Sequence, residues 1–307
     1  MFFRLQPYKS PGVLNSFQNW TDSADPDGMA VVIRLKNQLD RILDRATDEK
    51  GMVDYLSVAE DPTYWNFEEA ASELQAIDSV AGMDNRTKIA FGINLYNMMI
   101  KHAHIKFGIP SKFFQRSIFF SGVSYNIGGD VLSANELHHG VLRANSLNPR
   151  NFSDKKPFPK SDRRRDLVVS KVDPRIHFAF ELNWGMKSPP VRTFTVKSIE
   201  EELRAMAVAF CDDDENITVD EKRSHISLPA VMELYWSDFQ RAPEHKFGNY
   251  LRGEKRKKVQ RMIQGKDVNI QFSYKSYEWK NNASNCKKFQ GSALSDNRAS
   301  LRGALIF

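Results

Sequence analysis

The stretch DNRTKIAFGINLYNMMIKHAHIKFG, residues 84–108, decides how this chain folds. Asp84 is a good N-cap, because its carboxylate can accept the unpaired amides of a first helical turn. Gly108 supplies a residue that tolerates the left-handed backbone common at helix C-termini. Between them apolar residues fill most positions instead of a single stripe. The spacing therefore predicts a buried central helix, not a surface one.

The pattern extends outward on both sides. From Gly28 to about Ala46, apolar residues at 29, 32, 33, 35, 39, 42 and 43 keep helical spacing, with charges on the other face. PTYWNFEEAASELQAI (62–77) predicts a second helix with Pro62 at its first turn. FFSGVSYNIGGD (119–130) predicts a strand and a glycine turn. Ser133 and Glu136 have capping-box spacing and open a short helix to about Arg143. RIHFAFEL (175–182) has the look of a buried strand, and SIEEELRAMAVAFCDD (198–213) of an amphipathic helix with its Glu run at the favourable end. NITVD and HISL predict a hairpin, LPAVMELYWSDFQ a helix, and NIQFSYKSYEW a final strand. The expected fold is α+β: a single domain with a buried central helix packed on a small mixed or antiparallel sheet. Residues 1–46 form an N-terminal helical extension, 47–282 the domain, and 283–307 an irregular tail.

The 307 residues are 41% hydrophobic and 27% charged, enough apolar material for a sizeable core and too much for a disordered chain. Two cysteines, Cys211 and Cys286, exclude a four-cysteine zinc site and allow one disulfide at most. No secretory leader and no run of eighteen apolar residues is legible. The expectation is a soluble, cytoplasmic protein. The net charge of +6 is concentrated. Residues 150–175 hold nine basic and four acidic side chains, and 251–267 hold seven and two. Arg163, Arg164 and Arg165, with Lys255, Arg256, Lys257 and Lys258, are candidate phosphate-binding patches. A solvated surface is the simpler reading of both, so nucleic acid or an anionic membrane ranks below other partners.

Generic catalytic signatures are missing: there is no Walker loop, no G-x-S-x-G and no H-E-x-x-H. His138 and His139 are adjacent, which on an α-helix points them about 100° apart. A metal site drawn from His102, His139 and His177 has no supporting spacing, so neither a metal nor a cofactor is expected. Cys211 ends a helix and is followed by three aspartates, both of which oppose a thiolate.

Six segments in order resemble the domain of unknown function 547 family. AFGINLYNMMIKHA resembles its signature helix, and SYNIGGDVLSANELHHGVLR its Tyr-x-Ile-Gly-Gly and Glu-His-Gly-x-Leu-Arg segments. DPRIHFAF (173–180) and GMKSPPVR (185–192) resemble two further motifs. ISLPAVMELYWSDF resembles a Leu-Pro…Asp-Phe helix, and YKSYEWKNN the closing segment. Together they span roughly residues 50–282. By analogy, the resemblance implies a distant papain- or transglutaminase-like core, in which a cysteine, a histidine and an asparagine would act together. His139, His177 and Asn94 are the catalytic candidates that it leaves here. Tyr96, Asn97, Arg143, Trp184, Lys187 and Arg192 are the binding candidates. The family's cysteines are absent: one position is Trp184, and Ser188-Pro189-Pro190 is one residue short at the other. The signature tryptophan is Gly92, which opens space that another side chain must fill. The expected function is a non-catalytic scaffold or binding domain, degenerate in a cysteine-hydrolase-like site, with an unknown protein or small molecule as partner. The alternatives are a hydrolase or transferase using His139 or His177 with a non-cysteine nucleophile or metal, and an anionic-polymer or membrane-surface binder through the basic loops.

Overall fold

Asp27 caps the first helix, α1 (Gly28–Arg45), by accepting the Met29 and Ala30 amides at 3.0 and 3.2 Å. The computed structural model describes residues 12–78, 80–150, 155–181, 193–241, 246–264, 269–276 and 281–294. These fall into two compact units. One takes 12–148, 155–170 and 282–294; the other takes 149–150 and the described residues from 171 to 281.

In the first unit a two-residue strand, β1 (Val53–Asp54), leads into α2 (Tyr55–Glu60) and then α3 (Pro62–Ala71). Pro62 sits at the start of α3, where its missing N–H goes unneeded. The central helix α4 (Asn85–Phe107) begins at Asp84, whose carboxylate accepts the Thr87 amide at 2.7 Å. It ends at Gly108, with φ +79°. Most of its side chains are buried, as the even apolar filling predicts, and α1 packs along it. Asp40 of α1 ties the two helices together, bonding Lys36 at 2.6 Å and Lys101 at 2.8 Å. Lys36 is fully buried and would be costly there without that carboxylate.

After α5 (Phe113–Gly122), β2 (Ser124–Ile127) and β3 (Asp130–Ser133) form an antiparallel hairpin. Its two turn residues, Gly128 and Gly129, have φ of +55° and +89°. That pair is what a tight primed turn requires. A Cβ on Gly128 would also lie 2.7 Å from the Ile77 carbonyl. The capping box is formed: Glu136 accepts the Ser133 amide at 2.9 Å, and its own amide donates to the Ser133 hydroxyl at 3.2 Å. The helix it opens is wider than expected, because Glu136–Leu142 is a π-helix.

In the second unit the described part of the RIHFAFEL stretch, residues 175–181, is not a strand. Residues Ile176–Ala179 form a short helix, α6, buried on every side against α7 (Ile199–Asp212). Ile176, Phe178 and Phe180 alternate with Arg175, His177 and Ala179, which is a strand's two-residue period, but the short helix buries all four of its residues and so shows no polar face in the sequence. β4 (Thr218–Asp220) and β5 (His225–Leu228) form the expected hairpin. The expected single helix after it is two, α8 (Ala230–Leu234) and α9 (Trp236–Arg241), broken at Tyr235. α10 (Gly253–Gln264) follows, and β6 (Gln271–Tyr274) adds to β5 in parallel. The chain then returns to the first unit. There β7 (Ala283–Asn285) pairs in parallel with β1, giving order to a stretch expected to be irregular. Helices with several small sheets make the protein α+β, as expected.

Candidate functional site

The candidates divide between the two units, and each group is built on its own elements. In the first unit, α4 carries Asn94, Tyr96 and Asn97, all buried. α4 packs against the π-helix, and Leu142 fills the space left by Gly92: a Cβ on that glycine would sit 2.7 Å from the Leu142 side chain. The Tyr96 and His138 rings meet edge to face, with centroids 5.7 Å apart. The rings of His138 and His139 lie face to face, 4.3 Å apart and 20° from parallel. The two rings stack although neighbouring residues of any helix start from directions well apart, so side-chain torsions bring them together. Arg143 donates from Nη1 to His139 Nδ1 at 2.8 Å and to the Leu147 carbonyl at 2.8 Å. Arginine has no acceptor, so His139 Nδ1 must accept, and the ring is neutral with its proton on Nε2.

A second network in this unit has its centre at His102. Its Nε2 lies 3.3 Å from Glu68 and its Nδ1 3.0 Å from the Tyr125 hydroxyl. With Nε2 donating to the carboxylate, Nδ1 accepts from Tyr125. Lys106 forms a short ion pair with the same Glu68 oxygen. Burial opposes the ionisation of Glu68, but the His102 hydrogen bond and the Lys106 charge outweigh it and hold the carboxyl well below its ordinary range. Burial likewise pushes the Tyr125 hydroxyl well up. His104, two residues on, packs between Tyr55 and Phe119, and burial alone lowers it to about 3.

In the second unit, α6 positions His177 and α9 positions Asp238. The imidazole Nε2 lies 2.9 Å from Asp238 Oδ2. The ring lies flat on Tyr235, with centroids 3.9 Å apart and planes 11° from parallel. His177 is 1% exposed and Asp238 0%. Asp173 and Glu200 grip Arg175 just before α6, at 2.9 and 2.7 Å. Burial works against the Arg175 charge, and those carboxylates more than restore it. Cys211 is a free thiol inside α7, and burial pushes it far above its ordinary range, so it is no nucleophile at neutral pH.

The basic candidates are partly engaged. Arg163 pairs with Asp130 at 2.7 Å, and Arg164 bonds Asp162 and Glu136 while lying over the Phe158 ring. Lys255 reaches the Asp212 carbonyl at 2.6 Å and the Asp214 carboxylate at 2.9 Å, bracing the end of α7. Arg165, Arg256 and Lys257 are exposed, and Lys258 is half-buried. Trp184, Lys187 and Arg192 lie outside the described residues. Among the described residues no group of three His, Cys, Asp or Glu is arranged to hold a metal ion. Nor is any helix among them long and apolar enough to cross a membrane.

Glu68, Tyr125 and Asp238 were not singled out from the sequence. Tyr125 and Asp238 nevertheless stand inside resembling segments, SYNIGG and YWSDF, and that was the available signal. Asp238 meets a histidine from another such segment, DPRIHFAF. Motif residues distant in sequence thus meet as buried polar pairs on an α+β framework. Residues 80–211 match the family model described as "Protein of unknown function, DUF547". No curated protein and no solved structure matches the chain.

Proposed function

We propose that this chain is a non-catalytic binding scaffold whose family histidines hold the fold. The observation that carries this reading is the burial of the His177–Asp238 pair under Tyr235. A general base must come within hydrogen-bond reach of a substrate proton. A ring that stacks on tyrosine, binds aspartate and is sealed from water is placed to stabilise packing instead. His139 supports the same reading, since its Nδ1 already accepts from Arg143. Both cysteines are free, which suits a cytoplasmic setting. The partner would be a protein or a small molecule.

A second reading, a hydrolase or transferase using His177, is favoured by one feature: a carboxylate 2.9 Å from the imidazole is the orienting half of an acid–base pair. Turnover of a panel of esters, thioesters and peptides by the purified chain and by His177→Gln separates the two. The scaffold reading expects no turnover above buffer from either protein. Turnover by the native chain that disappears in a His177→Gln variant with an unchanged melting temperature would establish the enzyme.

A further inference from the structure

We infer that the start of α5, with the segment beside it, is a docking surface for an anionic lipid bilayer. Phe113 and Phe114 are the first two residues of α5, and they are 64% and 59% exposed. They are not the helix's contribution to the core. That role belongs to Phe119, fully buried against His104 and Phe289. Two adjacent phenyl rings left in water need a reason, since each gains substantially from leaving it.

The charge around the pair supplies the reason. Gln290 donates to the Phe107 carbonyl at 2.9 Å. Cβ atoms on Gly108 and Gly122 would collide with Lys287 and Leu294. Residues 107–122 and 287–294 therefore lie side by side. Together they carry Lys112, Arg116, Lys287 and Lys288 and no acidic residue, although the whole chain holds 38. Lys112 and Lys288 are exposed. Exposed aromatic tips next to Lys112, on a pair of adjoining segments that carry only cations, match the boundary where lipid phosphates meet acyl chains. The surface shares no residue with the histidine networks and stands whether or not they are catalytic.

The test is co-sedimentation of the full chain with vesicles of equal parts phosphatidylcholine and phosphatidylserine, beside vesicles of phosphatidylcholine alone. The native chain is expected to partition onto the anionic vesicles only, and less so as salt rises. The Phe113→Ser/Phe114→Ser variant should lose more than about tenfold in partition, from the two rings' lost transfer. The Lys112→Glu/Lys288→Glu variant should lose at least roughly tenfold, since each basic residue contributes roughly fivefold near such a surface. These positions are exposed, so circular dichroism and melting temperature should not change. A native chain that stays in solution with both vesicles, as a soluble acidic partner would imply, overturns the inference. So does equal binding to both vesicle types. Native-like partition of the double serine variant also overturns it, and would move the contact to Arg163–Arg165 or Lys255–Lys258.

Discussion

Among the described residues, two buried histidines meet a carboxylate, and their surroundings differ. His102 uses both ring nitrogens, one on Glu68 and one on Tyr125, while Lys106 shares the carboxylate. His177 meets Asp238, and an aromatic face covers its ring. The first pair belongs to a chain of charges and hydrogen bonds running from α3 through α4 to β2. The second is a two-helix contact sealed by aromatics. The lesson is that a histidine–carboxylate distance near 3 Å does not by itself mark a catalytic centre. Access decides, and neither pair has it.

The comparison predicts different penalties when each network is cut. Glu68→Ala strands a buried imidazole and an ammonium together, so it should cost roughly 3–5 kcal/mol in urea denaturation. The sign of its pH dependence follows from the lowered carboxyl. Glu68 contributes fully above its ordinary value of 4.5, and the contribution fades as pH falls below that. Acid unfolding of the Glu68→Ala variant should therefore be shallower below that pH. A melting curve at two pH values checks both statements. Tyr125→Phe removes one hydrogen bond and leaves His102 Nδ1 as a buried acceptor, for a loss of about 1–3 kcal/mol. A loss well under that would show water replacing the hydroxyl and would weaken the picture of a closed network.

Gly92→Ala gauges core packing outside both networks. Alanine favours the helix by about 1 kcal/mol, yet its Cβ collides with Leu142, and overpacking costs about 1–3 kcal/mol. A net loss is expected, smaller in a Leu142→Ala background. The mildest effect at neutral pH is that of His104→Leu. Its imidazole is held neutral down to about 3, against an ordinary 6.5. The unfolded chain takes up that proton first, so between those values native stability falls with acid by about 1.4 kcal/mol per pH unit. Without the imidazole that part of the slope should vanish, which a stability profile across the interval would reveal.

The helices with strong local grammar were legible in the sequence. Asp84 and Gly108 bracket α4, Gly128-Gly129 turns the β2–β3 hairpin, and Ser133 with Glu136 forms its capping box. Each of these rests on contacts within a few residues. The site was less legible because it rests on long-range contacts. Nothing near His102 announces Glu68, 34 residues earlier, and nothing near His177 announces Asp238, 61 residues later. Two local misreadings have definite causes. RIHFAFEL alternates polar and apolar residues as a strand does, and a four-residue helix buried all round is too short to impose a helical period on it. The His138–His139 stacking is set by side-chain torsions within a π-helix, and neither is encoded by a spacing rule. The Gly92 substitution was readable in kind, since a vacated tryptophan position must be filled. That Leu142 fills it emerges only from the packing of α4 on the π-helix.

The most direct test of the claim that the family histidine serves the fold is urea denaturation of Asp238→Ala beside the native chain. If the pair holds the second unit together, removing the carboxylate strands His177 in an aromatic core, and stability should fall by roughly 3–5 kcal/mol. An Asp238→Ala chain within about 0.5 kcal/mol of native would contradict the account, since changes that small are typical of surface positions.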